Sequence, residues 1–277
     1  MPILKSYFTN GGDKVESPRQ PELKLLAFDL GKKAIPELMA GLDHPDEDKA
    51  NLAAQGLASI GGTNAVAALR AAYQKKPSEF LKTELCFSLA TTGLSEDVDF
   101  LICALQADHQ VDLWPATPAA FSLEVLKAER ARDALYHATN KNHGTFAPQA
   151  AQEALRWMDE GPWQTPPFES DGEEEAIIHA VLRNSVPRTE DERGFHNSTT
   201  NRLWVLSGRS WTREPQEKPR KGSPVISFGV FVAEDASRAL CFIGLHFGFL
   251  NASGYEYLLN RRDAKWAVIG MAMTWVS

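Results

Sequence analysis

Cysteine is scarce in this chain: Cys86, Cys103 and Cys241 are the three among 277 residues. That is too few for a disulfide framework. They are expected to be free, buried thiols, which fits a reducing, cytoplasmic setting. Long apolar runs are lacking too. No stretch reaches the ~18 residues that a membrane-spanning helix needs, so no membrane partner is expected. The opening MPILKSYFTN holds Lys5 and no apolar core before a cleavage site, which is not the pattern of a signal peptide. An export signal trimmed ahead of residue 1 is left open. Positive charge is also in deficit: 29 Lys and Arg against 36 Asp and Glu give a net charge of −7. Nucleic-acid binders carry a basic face, so no nucleic-acid partner is expected.

Catalytic and metal motifs are equally sparse. The seven histidines form no His-x-x-x-His or Glu-x-x-His pair, and no Cys-x-x-Cys occurs, so no metal is expected. Gly-x-Ser-x-Gly, the phosphate-binding Gly-x-x-x-x-Gly-Lys-Ser/Thr and the dinucleotide fingerprint are missing. No cofactor is expected on those grounds.

What the chain does have is a period. Leu38, Leu69 and Leu101 are spaced by thirty-one and thirty-two residues. Each has a β-branched residue three positions earlier (Ile35, Val66, Val98) and a large residue four positions later (Leu42, Tyr73, Leu105). That spacing is one face of a helix. Glycine precedes each one, at Gly31, Gly61 or Gly62, and Gly93, as at a helix end. Two helices per unit of about 31 residues predict an α-helical solenoid. Residues 1–19 read as a flexible arm, and Pro36 sits in the first turn of a helix over 35–42. The second unit runs from Asn51 to Tyr73 and the third from Leu81 to Leu105. Trp114, Pro115, Thr117 and Pro118 read as an interruption. A single helix is expected from Leu123 to Ala138 and a last one from Pro148 to Met158.

A helix ending in Ala134-Leu135, a turn with Thr139 and Gly144, and a helix carrying Trp157 near its end resemble the terminal part of bacterial HEAT-like repeat proteins of the phycobilisome-lyase type. The resemblance covers residues 20–160 and implies a helical repeat. Bilin-lyase chemistry would follow from the family name alone, and fold is not function.

Residues 161–172, with Pro162, Pro166, Pro167 and Gly172 at their ends and centre, read as a linker. A short helix, Glu173–Leu182, follows, its acidic run marking the N-terminus. Glu190–Arg193 reads as a solvated loop. Period-two patterning then predicts strands over 203–209, 225–233, 239–250, 255–260 and 265–276. Short turns at Glu234–Ser237, Asn251–Gly254 and Arg261–Ala264 predict an antiparallel meander. Residues 210–223, with Lys218, Arg220 and Lys221, read as a long basic loop. One helix before such a sheet, with Tyr255 and Tyr257 in one strand and Trp266 to Val268 in the next, is similar to cystatin- and NTF2-like α+β domains. The expected architecture is therefore multidomain: a HEAT-like solenoid over 20–160 and an antiparallel α+β domain over 173–277.

Two functions compete. The first is a non-enzymatic protein–protein interaction or scaffold role of bacterial type, through the concave face of the repeats. The second is a small-ligand or enzyme role in a C-terminal pocket near His246, where a histidine could serve as a general base. Binding candidates are Lys218, Arg220, Lys221, Tyr255 and Tyr257; His246 is the catalytic candidate. A protein partner is expected, and the oligomeric state is left open.

Overall fold

The structure is a computed structural model. It describes residues 4, 7–8, 20–75, 78–92, 98–106, 116–140, 146–161, 172–183, 193–197, 202–207, 210–215, 225–248 and 251–276. Helices fill its first part and a sheet its second.

The first helical pair is α1 (Gln20–Leu30) and α2 (Ile35–Leu42), joined by a 3-10 turn over Gly31–Ala34. The next pair is α3 (Glu47–Ile60) and α4 (Gly62–Gln74), and the third is α5 (Glu79–Thr91) and α6 (Val98–Gln106). Then come α7 (Ala116–Val125), α8 (Arg132–Thr139) and α9 (Phe146–Glu160). Local chemistry explains the boundaries. Pro36 stands in the first turn of α2, where its missing N–H costs nothing. Asp46 caps α3 by accepting from the Asp48 amide at 3.0 Å, and Ser78 caps α5. The periodic leucines are core residues: Leu38 is 1% exposed, and Leu69 and Leu101 are fully buried. α1, α3 and α5 lie side by side, and α7 follows α5.

Three expectations need correction here. Leu4 and Phe8 belong to the helical core although they fall in the segment read as a flexible arm. With Tyr7 they occupy helical spacing, and Lys49 donates to the Tyr7 carbonyl. Of the expected interruption, Thr117 and Pro118 belong to the start of α7, whose first turn accepts the proline, and Trp114 and Pro115 lie outside the described residues. The single helix expected over 123–138 is broken: Lys127 takes φ 49° and ends α7 before a short 3-10 turn at Glu129–Ala131.

The sheet part begins with α10 (Glu173–Leu182), which has the expected bounds. The strands are β1 (Arg193–Asn197), β2 (Arg202–Ser207), β3 (Ser210–Pro215), β4 (Val225–Val232), β5 (Arg238–Gly248), β6 (Asn251–Arg262) and β7 (Lys265–Val276). Their order is β3-β2-β1-β4-β5-β6-β7. β4 to β7 form the expected antiparallel meander. The sheet departs from a plain meander at one place, where β1 runs parallel to β4 through His196–Val225 and Asn197–Ile226. Arg193 lies in β1 rather than in a loop, and 210–215 is a strand rather than part of the basic loop. Asn251–Gly254, expected as a turn, opens β6, where small side chains pack inside: Ala252 is 4% exposed and Ser253 fully buried. The turn before β7 narrows to Asp263-Ala264, both at positive φ, as a two-residue hairpin requires.

Side chains alternate across a sheet, and both faces of β5 and β6 are covered. Cys241, Ile243, Tyr255, Tyr257 and Leu259 pack under Ile177 and Val181 of α10, with Phe121 of α7 alongside. The opposite face, with Leu240 and Leu258, packs on Phe28 of α1. β7 comes close enough to α5 that a Cβ built on Gly270 would lie 2.0 Å from the Thr91 carbonyl oxygen. Helices and strands are therefore segregated in sequence but share buried surface. The segment 162–171, the body of the expected linker, lies outside the described residues.

Candidate functional site

An open cleft of about 780 Å³ lies where the helices meet one end of the sheet. Three stretches build it. The end of α1 and the 3-10 turn supply Asp29, Gly31, Lys32 and Lys33. The α3–α4 turn supplies Gly61 and Gly62, at φ 64° and 82°, a conformation that glycine reaches without strain. The β4–β5 and β6–β7 hairpin ends supply Glu234, Asp235, Arg238, Arg261 and Arg262.

Arg238 holds these stretches together. Its guanidinium donates to the Phe28 carbonyl at 3.0 Å and to the Ile60 carbonyl at 3.3 Å. It also lies 4.9 Å above the Phe28 ring. Phe28 and Ile60 stand in the last turns of α1 and α3, where carbonyls lack helical donors and a cation meets the negative end of each dipole. Gly31 leaves the room for it: a Cβ there would come within 2.6 Å of the guanidinium. Burial holds Arg238 below its usual value, with Asp235 and Asp29 pulling the other way. Asp235 is held below its ordinary value by the Ser237 amide first and the Ser237 hydroxyl second, at 3.0 and 2.7 Å.

Arg261 is also engaged, with Glu173 at 2.7 Å and over the Trp266 ring. Lys32, Lys33 and Arg262 are exposed and form no ion pair with another described residue. Five cationic and three anionic side chains thus line the cleft, in a chain whose net charge is −7.

The residues singled out from the sequence lie elsewhere. His246 is exposed near the far end of β5, in register with Val225 and Ala252. It stands eight positions along the strand from Arg238, roughly 26 Å. Tyr255 and Tyr257 are 7% and 1% exposed beneath α10, so they serve as core rather than surface. Burial, with Tyr255, Cys241 and Glu124 adding to it, pushes the Tyr257 phenol well above its usual value. Lys218, Arg220 and Lys221 lie outside the described residues. Of the thiols, Cys86 and Cys241 are buried and Cys103 is exposed. Burial pushes the Cys86 thiol up to about 12 and that of Cys241 higher still, so both are poor nucleophiles. No group of three or more metal-ligating side chains occurs among the described residues, and no helix among them is long and apolar enough to cross a membrane.

The cleft residues were not foreseen. Their local signal is two cationic doublets beside turns, Lys32-Lys33 and Arg261-Arg262, but only the tertiary fold brings 32 and 262 into one cleft. The chain matches no protein-family model, and no curated protein matches its sequence.

Proposed function

We propose that the chain is a non-enzymatic protein–protein interaction protein of bacterial type, in which HEAT-like helical hairpins carry a cystatin- or NTF2-like α+β domain. The even spacing of Leu38, Leu69 and Leu101, all buried, supports the repeat reading. The single helix α10, packed against β4, β5 and β7, supports the α+β reading. One observation supports a particular surface for it. The helical layer already spends its α1 and α5 faces on the chain's own sheet, whereas the cleft beside them stays open and carries cations that pair with no other described residue. Its size is in the range of ligand-binding sites, and its walls are turns and helix ends held by Arg238.

The test is co-precipitation from the source cells with tagged wild type, the cleft variant K32E/K33E/R262E and a remote variant K75E/R130E/R183E. A single stoichiometric polypeptide should accompany wild type and the remote variant and be lost from the cleft variant. Equal recovery on all three would remove the cleft from the interaction.

A further inference from the structure

We infer that the cleft takes an acidic, extended segment of the protein partner, with Lys32, Lys33 and Arg262 meeting its carboxylates. This rests on the interaction reading above and names the chemistry of the partner.

Charge sets the sign of the ligand. The three cations come from two segments far apart in sequence, yet they line one cleft and none is paired with another described residue. Cations that outnumber the acids on one surface favour an anionic visitor and speed its approach. Shape then separates a peptide from a compact anion. About 780 Å³ of open cleft is far more than a phosphate group fills. The acids Asp29, Glu234 and Asp235 interrupt the positive lining, which disfavours a small, dense polyanion and suits spaced carboxylates. Main chain is within reach as well. α4 starts at Gly62 with no side-chain cap on its first amides, and a Cβ built on Gly62 would meet nothing within 4 Å, so the wall is open there. An apolar handle stands just upstream of Glu234: Phe231 is 43% exposed and is braced edge-on against Phe242. Acidic residues beside one apolar anchor complement that surface.

The experiment measures fluorescence anisotropy of labelled octaglutamate with the purified full chain, at low and at moderate salt, with inorganic pyrophosphate as competitor. Wild type should bind, more weakly at higher salt. K32E/K33E/R262E should lose at least about tenfold in affinity, which is about 1.4 kcal/mol. K75E/R130E/R183E should stay within about twofold, and both variants should remain folded by circular dichroism at the assay temperature. Absence of octaglutamate binding, or equal loss in both variants, overturns the inference. Displacement by pyrophosphate at concentrations below that of the peptide overturns it too, in favour of a small-phosphate site. If co-precipitation depends on the cleft but octaglutamate does not bind, the interaction reading survives and the acidic segment does not. If octaglutamate binds in the cleft but no polypeptide is recovered, the interaction reading fails.

Discussion

Arg238 of β5 and Phe28 of α1 are 210 positions apart in the chain, yet the guanidinium donates to the Phe28 carbonyl oxygen at 3.0 Å and lies over its ring. The contact ties the end of a helix to the start of a strand, and the second bond to Ile60 ties in another helix. Arg238→Gln should destabilise the fold by about 1.5–3 kcal/mol, the range for hydrogen bonds to a charged group. Arg238→Lys should recover only part of that, because one ammonium cannot reproduce the planar fork. Chemical denaturation of the three proteins checks this; indistinguishable midpoints would mean that the cleft walls are held by other contacts.

Lys24 and Glu256 form a second tie, at 2.8 Å, with side chains 21% and 9% exposed. Removing one partner strands the other charge. Glu256→Gln or Lys24→Met alone should cost about 2–4 kcal/mol, less than a fully buried pair because Lys24 keeps some solvent. The double variant Lys24→Met/Glu256→Leu should be closer to wild type than the sum of the single losses. Simple additivity in the double-mutant cycle would show that the pair is not coupled.

Gly270 tests how tightly the sheet sits on the helices. Alanine there would have to push back the Thr91 carbonyl, and main chain yields less readily than a side-chain tip. Gly270→Ala should lower stability by about 1–3 kcal/mol, measured by thermal or urea unfolding. Wild-type stability would mean that β7 and α5 are farther apart than described.

Glu84 on α5 gives a pH dependence. Burial, the largest influence, raises its carboxyl above 4.5, while Ser88, Gln55 and Lys24 pull it down. A raised folded value means that the folded state holds its proton more tightly than the unfolded one. Its contribution is therefore fully present below pH 4.5 and is lost as pH rises through the folded value. Glu84→Gln should thus be more stable than wild type at pH 7, and the gain should shrink as pH falls toward 4.5. A gain that grows on acidification would reverse the sign. Comparing the two proteins at each pH cancels Asp235, whose lowered value acts the other way.

Much of the fold was legible because local patterns report burial directly. Leu38, Leu69 and Leu101 share one helix face and one fate, and the alternation in β4 to β7 marked four strands. What escaped was decided by tertiary structure. Lys127 ends α7 in a left-handed conformation with no glycine to announce it. β3 reads Ser-Trp-Thr-Arg-Glu-Pro, too polar for a strand until β2 pairs with it. The candidate site was less legible than the fold. Lys32 and Arg262 look like ordinary turn cations, and nothing local says that Arg238 fastens the helices to the hairpins beside them. Tyr255 and Tyr257 carry the opposite lesson: aromatic residues that resemble a binding strip are packed beneath α10.

The most direct test of the cleft is site-specific photo-crosslinking in the source cells, with benzoylphenylalanine placed at Lys33 or, as a control, at Tyr136, which is 63% exposed on α8. The cleft reading predicts one discrete crosslinked polypeptide from position 33, diminished when Lys32 and Arg262 are reversed to Glu, and none from position 136. A polypeptide captured from position 136 and not from position 33 would contradict it.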